Sequence, residues 1–319
     1  MINSFDVVGL GWGLVDLLMI VPRYPELDTK TESSISIQQV GGPVPRAMIT
    51  LAKLGKETSL IASVGDDFMG NFMRKSLKSE GVNIDDLNIQ PHGISRFGSV
   101  WIEENKGART IVYYQGRLQE IRLTEHVKSV IRNAKILHLD GRELESARIA
   151  ARLARENGCK VTLDTGDAKQ GIEHLFPLVD IIKVPFGFMK VFFPDMSLKG
   201  AAKKLQALGP RLVIVTLGSE GTVVFSEGGS FKQPGFPIKK VVDTNGAGDA
   251  FSGGLLYGIL ENWDIEKTVR FASAVAALKC ANLGNTGLPS LQEASTLLER
   301  KNVGWLCETD ASGGEICHP

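Results

Sequence analysis

From Leu123 onward the sequence alternates helical stretches with short apolar runs, and this alternation constrains the fold more than any other feature. A helical pattern over Thr124–Arg132 precedes the run Ile136–Leu139, and one over Glu143–Asn157 precedes Lys160–Leu163. Ile181–Val184, a helix near Ser197–Leu208 and Leu212–Leu217 extend the series. Runs this apolar suit strands buried on both faces, and parallel strands need the crossovers that intervening helices supply. The expected fold class is therefore α/β, a mostly parallel central sheet with helices on both faces. A hairpin around Gly228-Gly229 and helices over Ala247–Leu260, Ile265–Ala281 and Leu291–Arg300 complete it.

The N-terminal third reads differently. Phe5–Leu10 is a buried strand leading into Gly9-Leu10-Gly11-Trp12-Gly13. That glycine spacing invites a dinucleotide fold, which requires a helix next. Leu17-Leu18-Met19-Ile20-Val21-Pro22 follows instead, apolar and closed by proline, so the motif fails. Ser33–Val40 mixes polar and apolar residues, as do Arg96–Glu103 and Arg109–Tyr114 around the hairpin signal Glu104-Asn105-Lys106-Gly107. Half-polar strands suit a sheet with one face toward water or a ligand, and we assign those within 14–40 and 95–115 to a small lid. Between them lie a helix over Ala47–Leu54 capped by Gly55, a strand over Thr58–Val64 and a helix over Phe68–Ser79 stopped by Gly81. One domain spans 1–305, and the polar tail over 306–319 is expected to be disordered.

Lysine plus arginine and aspartate plus glutamate number 36 each, so no global field draws the chain to nucleic acid or to an acidic membrane. Any anion must be captured locally. No run approaches the roughly 18 apolar residues of a membrane helix. The start Met1-Ile2-Asn3-Ser4 lacks the basic region of a signal peptide, and four scattered cysteines form no CxxC pair. A reducing cytoplasm is the expected location.

The chemistry concentrates in Val241-Val242-Asp243-Thr244-Asn245-Gly246-Ala247-Gly248-Asp249-Ala250-Phe251. A glycine turn opening a helix leaves main-chain N–H groups unpaired where the helix dipole attracts anions. The carboxylate of Asp249 would repel a phosphate there unless it takes a proton from whatever attacks that phosphate. Phosphoryl transfer to a hydroxyl accounts for both features.

Gly41-Gly42-Pro43-Val44-Pro45-Arg46, continuing to Gly55, resembles the N-terminal signature of the ribokinase-like (PfkB) carbohydrate kinases, and Asp243–Asp249 resembles their C-terminal signature. The resemblance runs from the first strand to about Ser290. It implies a Rossmann-like domain with a β-sheet lid over the sugar site, and transfer of the ATP γ-phosphate to a sugar hydroxyl. Asp249 matches the family's catalytic base, and Gly246, Ala247 and Gly248 its anion hole. Thr216-Leu217-Gly218-Ser219-Glu220-Gly221 is similar to the nucleotide segment, and Ser273 and Asn282 fall where the last helices flank adenine. Asp16 matches the carboxylate that accepts hydrogen bonds from the sugar, while Gly41 and Gly42 approach it closely. Lys30, Arg96 and Asp140 are further pocket candidates, each with a solvated charge as the alternative. The cofactors implied are ATP and Mg²⁺, with a monovalent cation beside Asp243 and Asn245 in some members. A homodimer through the lids is a family habit.

Two departures stand out. Arg46 replaces an asparagine common in the family; pointing inward it suits an anionic substrate, pointing outward it is a surface arginine in the first helical turn. Pro185-Phe186-Gly187-Phe188 replaces an Asn-x-x-Glu segment linked to magnesium, leaving the ion to ATP and water. Ketohexokinase-like and sulfofructose-kinase-like branches also lack that full motif. A catalytically silent relative that binds sugar or nucleotide for regulation is the competing expectation.

Overall fold

The structure, a computed structural model, describes residues 4–299, 306–309 and 315–318. In chain order the elements are β1 (Val7–Leu10), β2 (Leu14–Val21), β3 (Ile35–Gly41), α1 (Pro43–Lys53), β4 (Thr58–Ile61), β5 (Ser63–Gly65), α2 (Phe68–Ser79) and β6 (Asn88–Gln90). Then come β7 (Phe97–Glu103), β8 (Arg109–Tyr114), α3 (Glu125–Arg132), β9 (Ile136–Leu139), α4 (Leu144–Glu156), β10 (Lys160–Asp164), β11 (Ile181–Pro185) and α5 (Phe186–Phe192). α6 (Leu198–Ala207), β12 (Leu212–Thr216), β13 (Thr222–Ser226), β14 (Gly229–Gln233), α7 (Ala247–Leu260), α8 (Ile265–Cys280) and α9 (Leu291–Glu299) follow. Last are β15 (Leu306–Thr309) and β16 (Glu315–His318), which pair antiparallel. The rest of the tail expected to be disordered lies outside the described residues.

The central sheet runs β14-β13-β12-β11-β10-β9-β1-β4. Its strands from β12 to β4 are parallel, and the hairpin β13–β14 adds an antiparallel pair at one edge. The period of two along each strand sorts side chains between layers. Val8, Leu137, Ile61, Val213 and Val215 pack with α3, α4, α5 and α6 on one face. Val7, Ile136, Leu60 and Ile214 pack with α1, α2, α7, α8 and α9 on the other. The α/β expectation holds, with most strand ends moved by one or two residues, but the run Thr58–Val64 divides into β4 and β5, of which only β4 joins the central sheet while β5 pairs with β6. One boundary moves further: α1 starts at Pro43 rather than Ala47, because proline's fixed φ and missing N–H suit the first turn of a helix.

The lid is a separate four-stranded sheet, β3-β2-β7-β8. Leu18, Ile20, Val100 and Ile102 fill its inner face, and Asp16 shares that face of β2. Every residue of the outer strand β8 is exposed. Among the described residues no helix is long and apolar enough to cross a membrane.

Candidate active site

The helix α7 delivers the predicted base. It is buried along most of its length, and Gly253 and Gly258 let α1 and α8 come close: a Cβ at Gly253 would sit 2.5 Å from Thr50, and one at Gly258 2.8 Å from Thr268. Its N-cap is Gly246, whose φ of 81° lies in the left-handed region that glycine tolerates. Ala247 N–H donates to the Thr244 carbonyl at 3.3 Å and Asn245 N–H to Asp243 Oδ1 at 2.7 Å. The N–H groups of Gly246 and Gly248 have no such partner among the described residues and remain available to an anion.

Arg46 lies inside the site, only 4 % exposed, so the surface alternative is not realised. It stands in the first turn of α1, and its Nε also donates to the Val40 carbonyl at 3.4 Å. Its Nη2 ion-pairs with Asp16 Oδ2, and its Nη1 donates to Asp249 Oδ2 at 3.2 Å and to Asn245 Oδ1 at 3.3 Å. Asn245 Nδ2 donates in turn to Asp16 Oδ2 at 3.1 Å. Burial alone would disfavour the guanidinium's charge, but Asp16 and Asp249 more than offset it, and its pKa lies above the ordinary value. One cation therefore joins the predicted sugar carboxylate to the predicted base. Gly41 makes this possible, since a Cβ there would stand 2.8 Å from the Asp16 carboxylate.

Beside this cluster lies a second one that the sequence revealed only in part. Asp140 Oδ2 accepts the Trp12 N–H at 2.8 Å, and Oδ1 accepts the Arg142 N–H at 3.0 Å. Gly11 gives that carboxylate room, the role left to the glycine cluster once the dinucleotide motif fails. Burial pushes the Asp140 carboxyl up. The Trp12 ring carries Arg96 at 4.2 Å and Arg142 at 4.6 Å. Buried Arg96 is matched by Glu143 at 3.1 Å. Half-buried Arg142, also 5.8 Å from the Tyr113 ring of the lid, has no carboxylate within ion-pair distance among the described residues. Nor has Lys169, which donates to the main-chain carbonyls of Asp140 at 3.1 Å, Asp167 at 3.2 Å and Thr165. Burial, chiefly, pushes the Lys169 ammonium down.

Under the start of α7 runs a buried network. Lys183 Nζ donates to Asp164 Oδ2 at 2.6 Å and to the Gly248 carbonyl at 3.0 Å, and Ser252 Oγ donates to the same Asp164 oxygen at 2.9 Å. His138 adjoins it through Thr162, 2.9 Å from Nδ1. Burial drops His138 to about 4. In the sequence Lys183 is a lysine inside the apolar run Ile181–Val184 and Arg142 the residue after Asp140-Gly141, and neither pattern specifies a role.

The remaining candidates are less closely grouped. Thr216 ends β12, and Gly218, Ser219 and Gly221 form the open turn beyond it. Ser273 Oγ donates to the Val269 carbonyl at 2.9 Å within α8, and Asn282 Nδ2 to the Leu278 carbonyl at 3.0 Å just past its end. Lys30 is exposed on the loop between β2 and β3 and makes no ion pair among the described residues.

Residues 15–291 match the family described as pfkB family carbohydrate kinase. An ATP-dependent ribose-1-phosphate kinase from Halopiger xanaduensis is 28 % identical over 90 % of this chain and 95 % of its own length. A ribokinase from Haemophilus influenzae is 27 % identical over 81 % of this chain and 87 % of its own. The structure of Arabidopsis thaliana ribokinase complexed with ribose and ATP superposes with a TM-score of 0.82 at 24 % identity, covering 94 % of this chain and all of the other, which shows the ribokinase-like fold. The chain belongs to the pfkB family of carbohydrate kinases, phosphotransferases that act on a sugar hydroxyl.

Proposed function

We propose that the protein transfers the γ-phosphate of ATP to a hydroxyl of a sugar that carries a separate anionic group. Asp249 is the general base. Only its Oδ2 is engaged by Arg46, and Oδ1 makes no hydrogen bond among the described residues. That oxygen takes the proton as the acceptor oxygen bonds to the γ-phosphorus and the bond to the ADP oxygen breaks. The unpaired N–H groups of Gly246 and Gly248 then face the charge on the transferring phosphoryl group. Asp16, with Gly41 and Gly42, orients the sugar, and the 216–221 turn receives the nucleotide. Pro185–Phe188 offers no oxygen-bearing side chain, and α5 begins at Phe186, so these residues form no magnesium cage; Mg²⁺ is a companion of ATP.

Arg142 is the observation that carries the anionic assignment. Arg46, the arginine the sequence marked for that task, is already neutralised by two carboxylates. Arg142 and Lys169 have no direct ion pair among the described residues and share the attraction of one buried carboxyl, Asp140; Arg142 stacks on Trp12, whose carbonyl lies against Gly42. A carboxylate, sulfonate or phosphate on the sugar would take the guanidinium of Arg142, with Lys169, whose three donors already meet main-chain carbonyls, adding positive charge alone. The similar ribose-1-phosphate kinase is named for a phosphorylated acceptor, whereas ribokinases are named for a neutral one. The test is ADP release from ATP across sugar phosphates, sugar acids and neutral sugars. Phosphorylated or acidic sugars should give the higher kcat/KM, and a clear preference for neutral sugars would overturn the anionic assignment. Asp249→Asn should lower kcat by about 10²- to 10⁴-fold with ATP binding kept; wild-type turnover would remove Asp249 as the base.

The exposed strand β8, with Val112 69 % and Tyr113 52 % accessible, suits pairing of two copies through their lids. Sedimentation of the wild type and Val112→Lys tests this: a dimer that dissociates in the variant supports it, and a wild-type monomer refutes it.

A further inference from the structure

Close to the anion hole, a lysine holds the place where a cation would be sought. Lys279, in the last turn of α8, is 1 % exposed, and its Nζ is surrounded by oxygens. Asp243 Oδ2 lies at 2.6 Å, the Asp243 carbonyl at 3.0 Å and the Asn282 carbonyl at 3.5 Å. An alkylammonium has three N–H donors, and here each has an oxygen. Asp243 is fully buried and spends its carboxylate on the same neighbourhood: Oδ2 also accepts Gly284 N–H at 2.9 Å, and Oδ1 accepts Asn245 N–H at 2.7 Å. Asn245 in turn touches Arg46 and Asp16. The loop that becomes the anion hole is thus tied to Lys279 through a single residue.

The family's monovalent cation beside Asp243 and Asn245 does not fit these residues. A second cation on the Asp243 oxygens would meet the ammonium at contact distance, and among the described residues no further carboxylate pairs with Lys279 to offset the repulsion. We propose that Lys279 is a tethered monovalent cation that orders the Asp243–Gly248 loop, so that phosphoryl transfer by this protein needs no potassium. Lys279 is a positioning residue: its ammonium fixes Asp243, and Asp243 fixes the turn that aims Gly246, Gly248 and Asp249. Burial pushes the ammonium down and Asp243 opposes that shift, so the charge depends on the carboxylate it orders.

The inference rests on the kinase function, which wild-type turnover of any accepted sugar establishes separately. Wild-type kcat should stay within about twofold when choline chloride is exchanged for potassium or ammonium chloride at constant ionic strength; potassium activation beyond that overturns the proposal. Lys279→Met keeps the stem and removes the charge. Its kcat should fall about 100-fold, as expected for a slightly misplaced site, with KM for ATP little changed and activity returning with potassium or ammonium but not choline. A variant active without added cation, or folded and rescued by none, overturns the assignment. Thermal melting gives a readout without turnover: potassium should raise the Tm of Lys279→Met above its value in choline and leave the wild type unmoved. If the variant does not fold, the wild-type potassium series remains decisive.

Discussion

The two charge clusters of the cleft differ in how their charges are balanced. Around the start of α7 the three buried cations each have a carboxylate: Arg46 has Asp16 and Asp249, Lys183 has Asp164, and Lys279 has Asp243, while the exposed Arg109 reaches only Thr244. Around Trp12 only Arg96 is so matched, by Glu143, while Arg142 and Lys169 are not. The first arrangement is complete before any ligand arrives, which is what electrostatic preorganisation requires of machinery that stabilises a transition state. The second keeps two cations without a direct ion pair among the described residues, the arrangement that the proposed recognition of a charged acceptor requires.

The sharpest way to break this contrast is to remove one cation from each side. Arg46→Ala strands Asp16 and Asp249 together in a buried pocket, and loss of one partner from a buried pair costs about 3–5 kcal/mol. Arg142→Ala removes an unpaired, half-buried charge and should cost less than about 1 kcal/mol, the scale of substitutions that break no buried network. Urea unfolding of both variants decides the matter. Equal losses would show that Arg142 is held by the protein itself and does not await a ligand.

Acidity separates the two regions by sign. His138 titrates near 4 in the native state against 6.5 as a free side chain, with burial the first cause and Lys183 adding to it. As pH falls below 6.5 the unfolded chain binds a proton that the native chain refuses. His138's contribution to stability is therefore complete above 6.5 and is lost progressively down to about 4, in total about 3 kcal/mol at 1.36 kcal/mol per pKa unit. Asp140 acts in reverse, because burial raises its folded pKa and acid favours its native form. His138→Asn should flatten the fall between pH 6.5 and 4 in urea unfolding; an unchanged slope would mean that His138 is accessible to protons.

Much of the catalytic region was legible in the sequence, because its elements obey local rules. The αL glycine, the helix start and Asp249 are consecutive, and Gly41-Gly42 precedes a helix whose first residue is proline. Asp16 could be singled out just beyond β1. The partnerships could not be read. Arg46 and Asp249 are 203 residues apart, and the sequence left open whether the arginine faced in or out. Lys183 and Lys279 stand in the sequence as single charges among apolar residues, because their partners Asp164 and Asp243 come from other parts of the chain. Arg142 is legible only as the residue that follows Asp140-Gly141 at a strand end, since the sequence does not show that it stacks on Trp12 and makes no direct ion pair among the described residues. Lys30 shows the limit from the other side: the sequence left it between pocket residue and solvated charge, and it is exposed on the loop between β2 and β3.

The smallest of the expected effects tests selectivity alone. Arg142→Gln keeps a polar side chain beside Trp12 and removes the charge. Hydrogen bonds to charged groups are worth about 1.5–3 kcal/mol, so KM for a phosphorylated or acidic acceptor should rise about 10- to 100-fold. The kcat at saturation should hold, because Asp249 and the glycine turn keep their own partners. Neutral acceptors should be unaffected, and raising ionic strength should weaken wild-type binding of the charged acceptor more than it weakens the variant. A parallel loss for neutral and charged acceptors would assign Arg142 to the packing of Trp12 and Tyr113, and the contrast between the two clusters would then describe only the empty protein.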